Sequence, residues 1–238
     1  MDKKYFVEID GVCAEGENRQ EFVMNYLAAL YEKNKGLDNM SRIQAYVQHF
    51  VNNFSYDKDL RNKIVDDEGL NTFEKSEEAL CNLFVNKKGV CQQFSQALAL
   101  LTVLDYKRSG DGVPLHYVVT DVDVNGESLA HAFNVVKNRK NEVWFIVDIS
   151  SMIHAEAGDY KQSLTKFYLR TPKQYYENMK EENVEILTLV KEGQVYGYPL
   201  VSDLSEYYRL LNGDKDMGEK YKGLWLGFDV GDAENSNV

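Results

Sequence analysis

The chain has 238 residues, 44% of them apolar and 27% charged, with a formal net charge of −11. That length suffices for one sizeable core, and 16 Tyr with 11 Phe exclude a disordered composition. The acidic balance disfavours nucleic acid and anionic membranes as partners, and three cysteines are too few and too odd for a disulfide framework.

No apolar run is long enough to span a bilayer. The start, Met1-Asp2-Lys3-Lys4-Tyr5, runs into polar residues rather than an apolar signal core. The expectation is a cytoplasmic protein as numbered, or a secreted one whose leader was removed.

Phe6-Val7-Glu8-Ile9 predicts a short strand. Residues 18–35 predict a helix, with Phe22, Val23, Tyr26, Leu27, Leu30 and Tyr31 at three- and four-residue spacing and Gly36 as its stop. A second helix is expected over 41–53, carrying Ile43, Tyr46, Val47 and Phe50, with Ser41 as its cap. Residues 57–75 are charged and irregular and predict a surface loop. A third helix starts near Ser76 and ends at Lys87-Lys88-Gly89. A fourth begins at Cys91 and stops near Ser109-Gly110-Asp111-Gly112. Its residues Phe94, Ala97, Leu98, Leu101 and Leu104 have few polar residues opposite, the pattern of a buried central helix.

The period then changes to two. Val113–Val124 and Glu127–Lys137 predict strands joined by Asn125-Gly126, a strong hairpin turn. A second turn at Asn138–Asn141 leads into a third strand, Glu142–Ile149. Helices followed by an antiparallel meander make an α+β layout. The expected organisation is one domain over 1–230: a helical part at 18–109, a meander at 113–150 and a mixed, aromatic-rich extension at 155–230. The tail, 231–238, is expected to be mobile.

Cys91 is the first residue with chemical promise. It follows Gly89-Val90 at a helix start, where free N–H groups and the helix dipole favour a thiolate. A lone cysteine is more commonly just a small buried residue. A nucleophilic thiol needs a base, and the base needs an orienting group. If Arg139 and Lys140 form a two-residue turn, Asn138 pairs with Asn141. Counting back along both strands then sets His131 opposite Asp148, within reach of a His–carboxylate contact. Of the other histidines, His49 reads as a surface or boundary residue, His116 as a strand residue and His154 as a reserve base in a loop. Cys13 and Cys81 lack the Gly-rich approach. No Cys-x-x-Cys, His-Glu-x-x-His or Gly-rich phosphate loop occurs, so neither a metal nor a cofactor is expected.

Four segments, in order, resemble the transglutaminase-like superfamily over residues 41–150. They are Tyr56-Asp57, Gly89-Val90-Cys91-Gln92-Gln93-Phe94-Ser95, His131-Ala132-Phe133-Asn134 and Trp144-Phe145-Ile146-Val147-Asp148. The resemblance implies a papain-like α+β core, with the Cys-bearing helix packed on an antiparallel sheet, and a Cys91–His131–Asp148 triad. Gln93 stands where a Gly is common, Phe133 where Trp is frequent, and Ile149-Ser150-Ser151-Met152 where Thr-Trp and another Asp often follow. These departures concern the substrate pocket rather than the triad.

The implied chemistry is acyl transfer at an amide or peptide carbonyl through a thioester. Tyr56 or Gln92, with the Cys91 N–H, is the expected oxyanion donor. The partner is then a protein or peptide substrate. Hydrolysis is preferred to crosslinking, since the sequence has no acidic Ca²⁺ loop. The rival reading is a non-catalytic protein-binding module that keeps the fold.

Overall fold

The structure is a computed structural model, and it describes residues 5–66, 76–110, 112–113, 115–124, 127–138, 140, 143–154, 168–170, 172–181, 184–186, 194–195, 197–198 and 228–229. It is a mixed α+β protein. Two strands open it, β1 (Tyr5–Ile9) and β2 (Val12–Gly16), paired with Ile9 opposite Val12. Asp10 and Gly11 between them have φ of 50° and 72°. Two positive φ values in a two-residue turn suit the twist of a hairpin, and Asp-Gly supplies them cheaply. The sequence reading expected only the first of these strands, although the Asp-Gly pair was the available signal.

Helix α1 (Arg19–Asn34) is capped by Asn18, whose side chain accepts from the Glu21 N–H. Helix α2 (Asn39–Asn53) is capped by Asp38 rather than by the expected Ser41. Asp38 accepts from the Met40 and Ser41 N–H groups, and the Ser41 hydroxyl donates to the same carboxylate. A carboxylate at the positive end of the helix outcompetes the hydroxyl for the cap.

Strand β3 (Ser55–Tyr56) follows, then α3 (Lys58–Asp66). The expected loop over 57–75 is thus helical in its first part, begun by Asp57 accepting from the Leu60 N–H at 2.9 Å; residues 67–75 lie outside the described residues. Helix α4 (Ser76–Asn86) leads into β4 (Lys88–Gly89) and then α5 (Cys91–Ser109). Gly110, at φ 70°, ends α5 by donating its N–H to the Tyr106 carbonyl.

From Gln93 to Asp105, α5 is buried on every side. Phe94, Leu98 and Leu101 are inaccessible to solvent, and α5 packs on α1, α2 and α4 as well as on the sheet. Each such side chain contributes roughly 1.5–3 kcal/mol of transfer free energy. One buried ion pair crosses this apolar packing: Arg42 of α2 donates to Asp105 of α5 at 2.9 Å, and the Tyr46 hydroxyl donates to the other carboxylate oxygen at 2.8 Å.

The sheet is built on β5 (Leu115–Val124), β6 (Glu127–Asn138) and β7 (Val143–Val147). After α6 (Ile149–His154) come β8 (Tyr168–Arg170), α7 (Pro172–Glu181) and β9 (Val184–Ile186). The short strands β10 (Gln194–Val195), β11 (Gly197–Tyr198) and β12 (Phe228–Asp229) complete the described elements. The sheet order is β11-β5-β6-β7-β8, antiparallel throughout, with β9 also on β5. Val124 pairs with Glu127, the register of a two-residue hairpin; Asn125 and Gly126 themselves lie outside the described residues. Most of the expected 155–230 extension and all of the 231–238 tail also lie outside them.

The second hairpin corrects the sequence reading. Asn138 pairs with Val143, not with Asn141. The connection is therefore two residues longer than a tight turn, and the whole ladder slides by two. Strand β7 ends at Val147, where the chain turns into α6 instead of continuing to Ile149.

Candidate active site

Cys91 is the first residue of α5 and is half-buried. Val90 precedes it in extended conformation and has no side-chain acceptor to cap the helix. Gln93 compensates: its Oε1 accepts the Val90 N–H at 2.9 Å, while its Nε2 donates to the Ala79 carbonyl of α4 at 2.6 Å. The residue that departs from the expected Gly thus ties the helix of Cys91 to its neighbour. The Gln93 N–H donates to the Val90 carbonyl at 3.1 Å.

The approach to Cys91 is shaped by two strands of two residues. β3 and β4 run parallel with Tyr56 opposite Gly89, and Asp57 donates its N–H to the Gly89 carbonyl at 2.9 Å. A Cβ on Gly89 would stand 2.6 Å from Leu83 Cδ1 and 3.0 Å from Gln93 Oε1. Only glycine permits this close approach. Tyr56 is brought into electrostatic contact with Cys91. Burial first, then the charges of Cys91, Asp148 and Asp57, push its phenol above the ordinary range. It therefore remains an O–H donor at neutral pH. Gln92 sits beside Cys91 in the first turn, also half-buried.

His131 of β6 hydrogen-bonds to Asp148, Nε2 to Oδ2, at 2.7 Å. The Cys91 side chain lies near enough to the same imidazole to favour its charged form. With Nε2 held by the carboxylate, Nδ1 is the ring nitrogen left for another partner. Burial disfavours the His131 cation, but the Asp148 carboxylate and Cys91 outweigh it and push the group up to about 10. Asp148 is inaccessible to solvent. Burial acts to raise its carboxyl, but His131 and the donors of Ser151 hold it well below the usual carboxylate range.

Asp148 and His131 do meet, as the sequence reading expected, but not across a ladder. In the observed register Asn134 pairs with Val147, so Asp148 is the residue just past the strand. It caps α6 instead. Its Oδ1 accepts from the Ser151 N–H at 3.0 Å and the Ser150 hydroxyl at 2.8 Å, and its Oδ2 from the Ser151 hydroxyl at 2.6 Å. The departure Ile149-Ser150-Ser151 thus supplies donors to the carboxylate. An Asp followed by serines at a helix start was a readable capping signal.

Oδ2 has one more donor, the Tyr175 hydroxyl of α7, at 2.7 Å. Tyr175 is fully buried and its ring lies 5.3 Å from that of Phe133, tilted by 48°. No local pattern links it to residue 148.

The remaining candidates are dispersed. Cys81 is buried in α4 and Cys13 is exposed on β2. His49 is buried rather than at the surface, because its Nε2 finds the Tyr26 hydroxyl at 2.7 Å between apolar helices. His116 lies on β5 and His154 ends α6; their side chains lie outside the described residues. Among the described residues no group of three or more His, Cys, Asp or Glu could hold a metal ion, and no helix is long and apolar enough to cross a membrane.

One solved structure, described as a TGase, resembles this chain with a TM-score of 0.40 and 20% identity, over 59% of this chain and 33% of that one. This chain thus spans about a third of that chain's length. No protein-family model matches the chain, and no curated protein does.

Proposed function

We propose that Cys91, His131 and Asp148 form the triad of a transglutaminase-like cysteine enzyme that transfers an acyl group from an amide or peptide carbonyl, with water as the acceptor. The observation that carries this reading is one imidazole hydrogen-bonded to a buried carboxylate at 2.7 Å, with a thiol at a helix start near enough to favour its charged form.

In the proposed reaction the proton shared by Cys91 and His131 resides on the imidazolium, and the thiolate sulfur attacks the carbonyl carbon. The carbonyl oxygen becomes an oxyanion, met by the Cys91 N–H and by the Tyr56 hydroxyl or the Gln92 side chain. Collapse breaks the C–N bond, and His131 returns its proton to the leaving amine. Water then attacks the thioester and gives its proton to His131. Breaking the S–C bond releases the acid and restores the thiolate–imidazolium pair. Asp148 stays ionised throughout and stabilises the imidazolium. An amine in place of water would give crosslinking.

The test has two parts. Iodoacetamide should label Cys91 faster in the wild-type protein than in His131→Ala, with Cys13 and Cys81 as internal references. A glutamine-containing peptide library should then yield free acid in water, and Cys91→Ala should abolish turnover without abolishing peptide binding. Incorporation of an added primary amine in preference to water would replace hydrolysis by crosslinking. Binding with no turnover by the wild-type protein would favour the non-catalytic module.

A further inference from the structure

Asp148 accepts five hydrogen bonds, and their origins differ. Three come from Ser150 and Ser151, within three residues of it. These fix the carboxylate relative to its own turn, not relative to the strand that carries His131. The Tyr175 bond is of another kind. Its donor is 27 residues away, on a separate helix, and its ring is packed against Phe133 of β6. Phe133 is two residues from His131 on that strand, so both side chains leave it on the same side. The two rings are 6.1 Å apart. One stiff side chain with two torsions therefore leans on the strand bearing the imidazole and grips the carboxylate oxygen that the imidazole uses.

We infer that Tyr175 is a positioning residue of this site, holding Asp148 Oδ2 in line with His131 Nε2, and that α7 thereby belongs to the active centre. The inference rests on the triad reading above. Tyr175 and Asp148 are both sealed from solvent, so no water can readily replace the hydroxyl. Bonds to an ionised acceptor are about twice as strong as neutral ones. The other four donors keep the carboxylate satisfied when the hydroxyl is removed. What is lost is orientation, and small misplacements at a reacting centre are costly.

Tyr175→Phe keeps the ring and its packing and deletes only the hydroxyl. The readouts are the rate of Cys91 alkylation by iodoacetamide at pH 7, the titration of the His131 imidazole by NMR, and the melting temperature. Alkylation should slow about tenfold, the scale on which misplaced groups act. The His131 midpoint should fall toward 6.5, because a carboxylate that wanders supports the imidazolium less. A folded Tyr175→Phe protein with wild-type alkylation and an unchanged His131 titration overturns the positioning role. So does a rise of the His131 midpoint, which would mean that the hydroxyl only spreads the carboxylate's charge. If wild-type Cys91 reacts no faster than in His131→Ala, the triad itself fails, which is a separate result. Should Tyr175→Phe not fold, Phe133→Leu removes the surface on which Tyr175 leans and must lower the alkylation rate and the His131 midpoint; an unchanged rate and midpoint there overturn the inference equally.

Discussion

His131 and Asp148 stand 17 positions apart and share a 2.7 Å hydrogen bond, yet they are not cross-strand partners. His131 projects from the middle of a strand, whereas Asp148 caps the helix that begins where the neighbouring strand stops. The pair therefore depends on the strand end and the cap, and on very little of the ladder between them.

Asp148→Asn removes the charge but keeps the shape. The imidazole loses the partner that stabilises its cation, and Asn presents an N–H or a neutral oxygen to Nε2. Alkylation of Cys91 at pH 7 should fall at least about tenfold. An unchanged rate in a folded Asp148→Asn protein would leave Asp148 as a helix cap only.

The His131–Asp148 pair also makes a pH-dependent contribution to stability. His131 is raised on folding, so its contribution is complete below its unfolded value, about 6.5, and is lost as pH rises through its folded value of about 10. Asp148 is lowered, so its contribution is present above its unfolded value, about 3.9, and lost as pH falls through the lower folded value. The stability difference between wild type and His131→Ala, measured by urea unfolding, should be greatest between about pH 4 and 6.5 and shrink from there toward pH 10.

His49 works in the opposite sense. Burial, then the Lys33 charge, lower it to about 4, against weaker support from Asp10. The unfolded chain takes up a proton below about 6.5 that the folded protein refuses until about 4, so this group lowers stability as pH falls through that window. His49→Gln should flatten that part of the urea-unfolding profile. An NMR midpoint for His49 above 6.5 would reverse the prediction.

Arg42→Ala strands the Asp105 carboxylate in the core with Tyr46 as its remaining partner from this network. Loss of one partner of a buried pair costs about 3–5 kcal/mol. Urea unfolding at pH 7 should show a loss of that size, and a loss below about 1 kcal/mol would mean that Asp105 is protonated or rehydrated in the variant.

Gly89→Ala puts a methyl group into Leu83 and Gln93. Overpacking of this kind costs about 1–3 kcal/mol. Because Gln93 caps the helix that begins at Cys91, the variant should also slow Cys91 alkylation. Slowing without any loss of stability would show that the methyl group acts on the approach to the thiol alone.

Helices α1, α2, α4 and α5 were readable in the chain because each carries apolar residues at helical spacing with a stop or cap nearby, whereas α3, α6 and α7 were not. The runs Phe22–Tyr31 and Phe94–Leu104 mark α1 and α5, and Gly110 marks the end of α5. Cys91 was readable as a candidate from its helix start, whereas His131 and Asp148 were paired through an assumed turn whose register is off by two and through the family resemblance. Three further features were not readable. The slide of two residues between β6 and β7 depends on how the connection closes, which the strand pattern does not encode, since a shift of two leaves every side chain on the same face. The burial of His49 required its partner Tyr26, 23 positions away on another helix. The bond from Tyr175 to Asp148 spans 27 positions and arises only when α7 packs against the sheet. Periodicity and capping are short-range effects that a sequence displays directly. Contacts between distant elements follow from how their faces fit together in three dimensions, and no local pattern carries that fit.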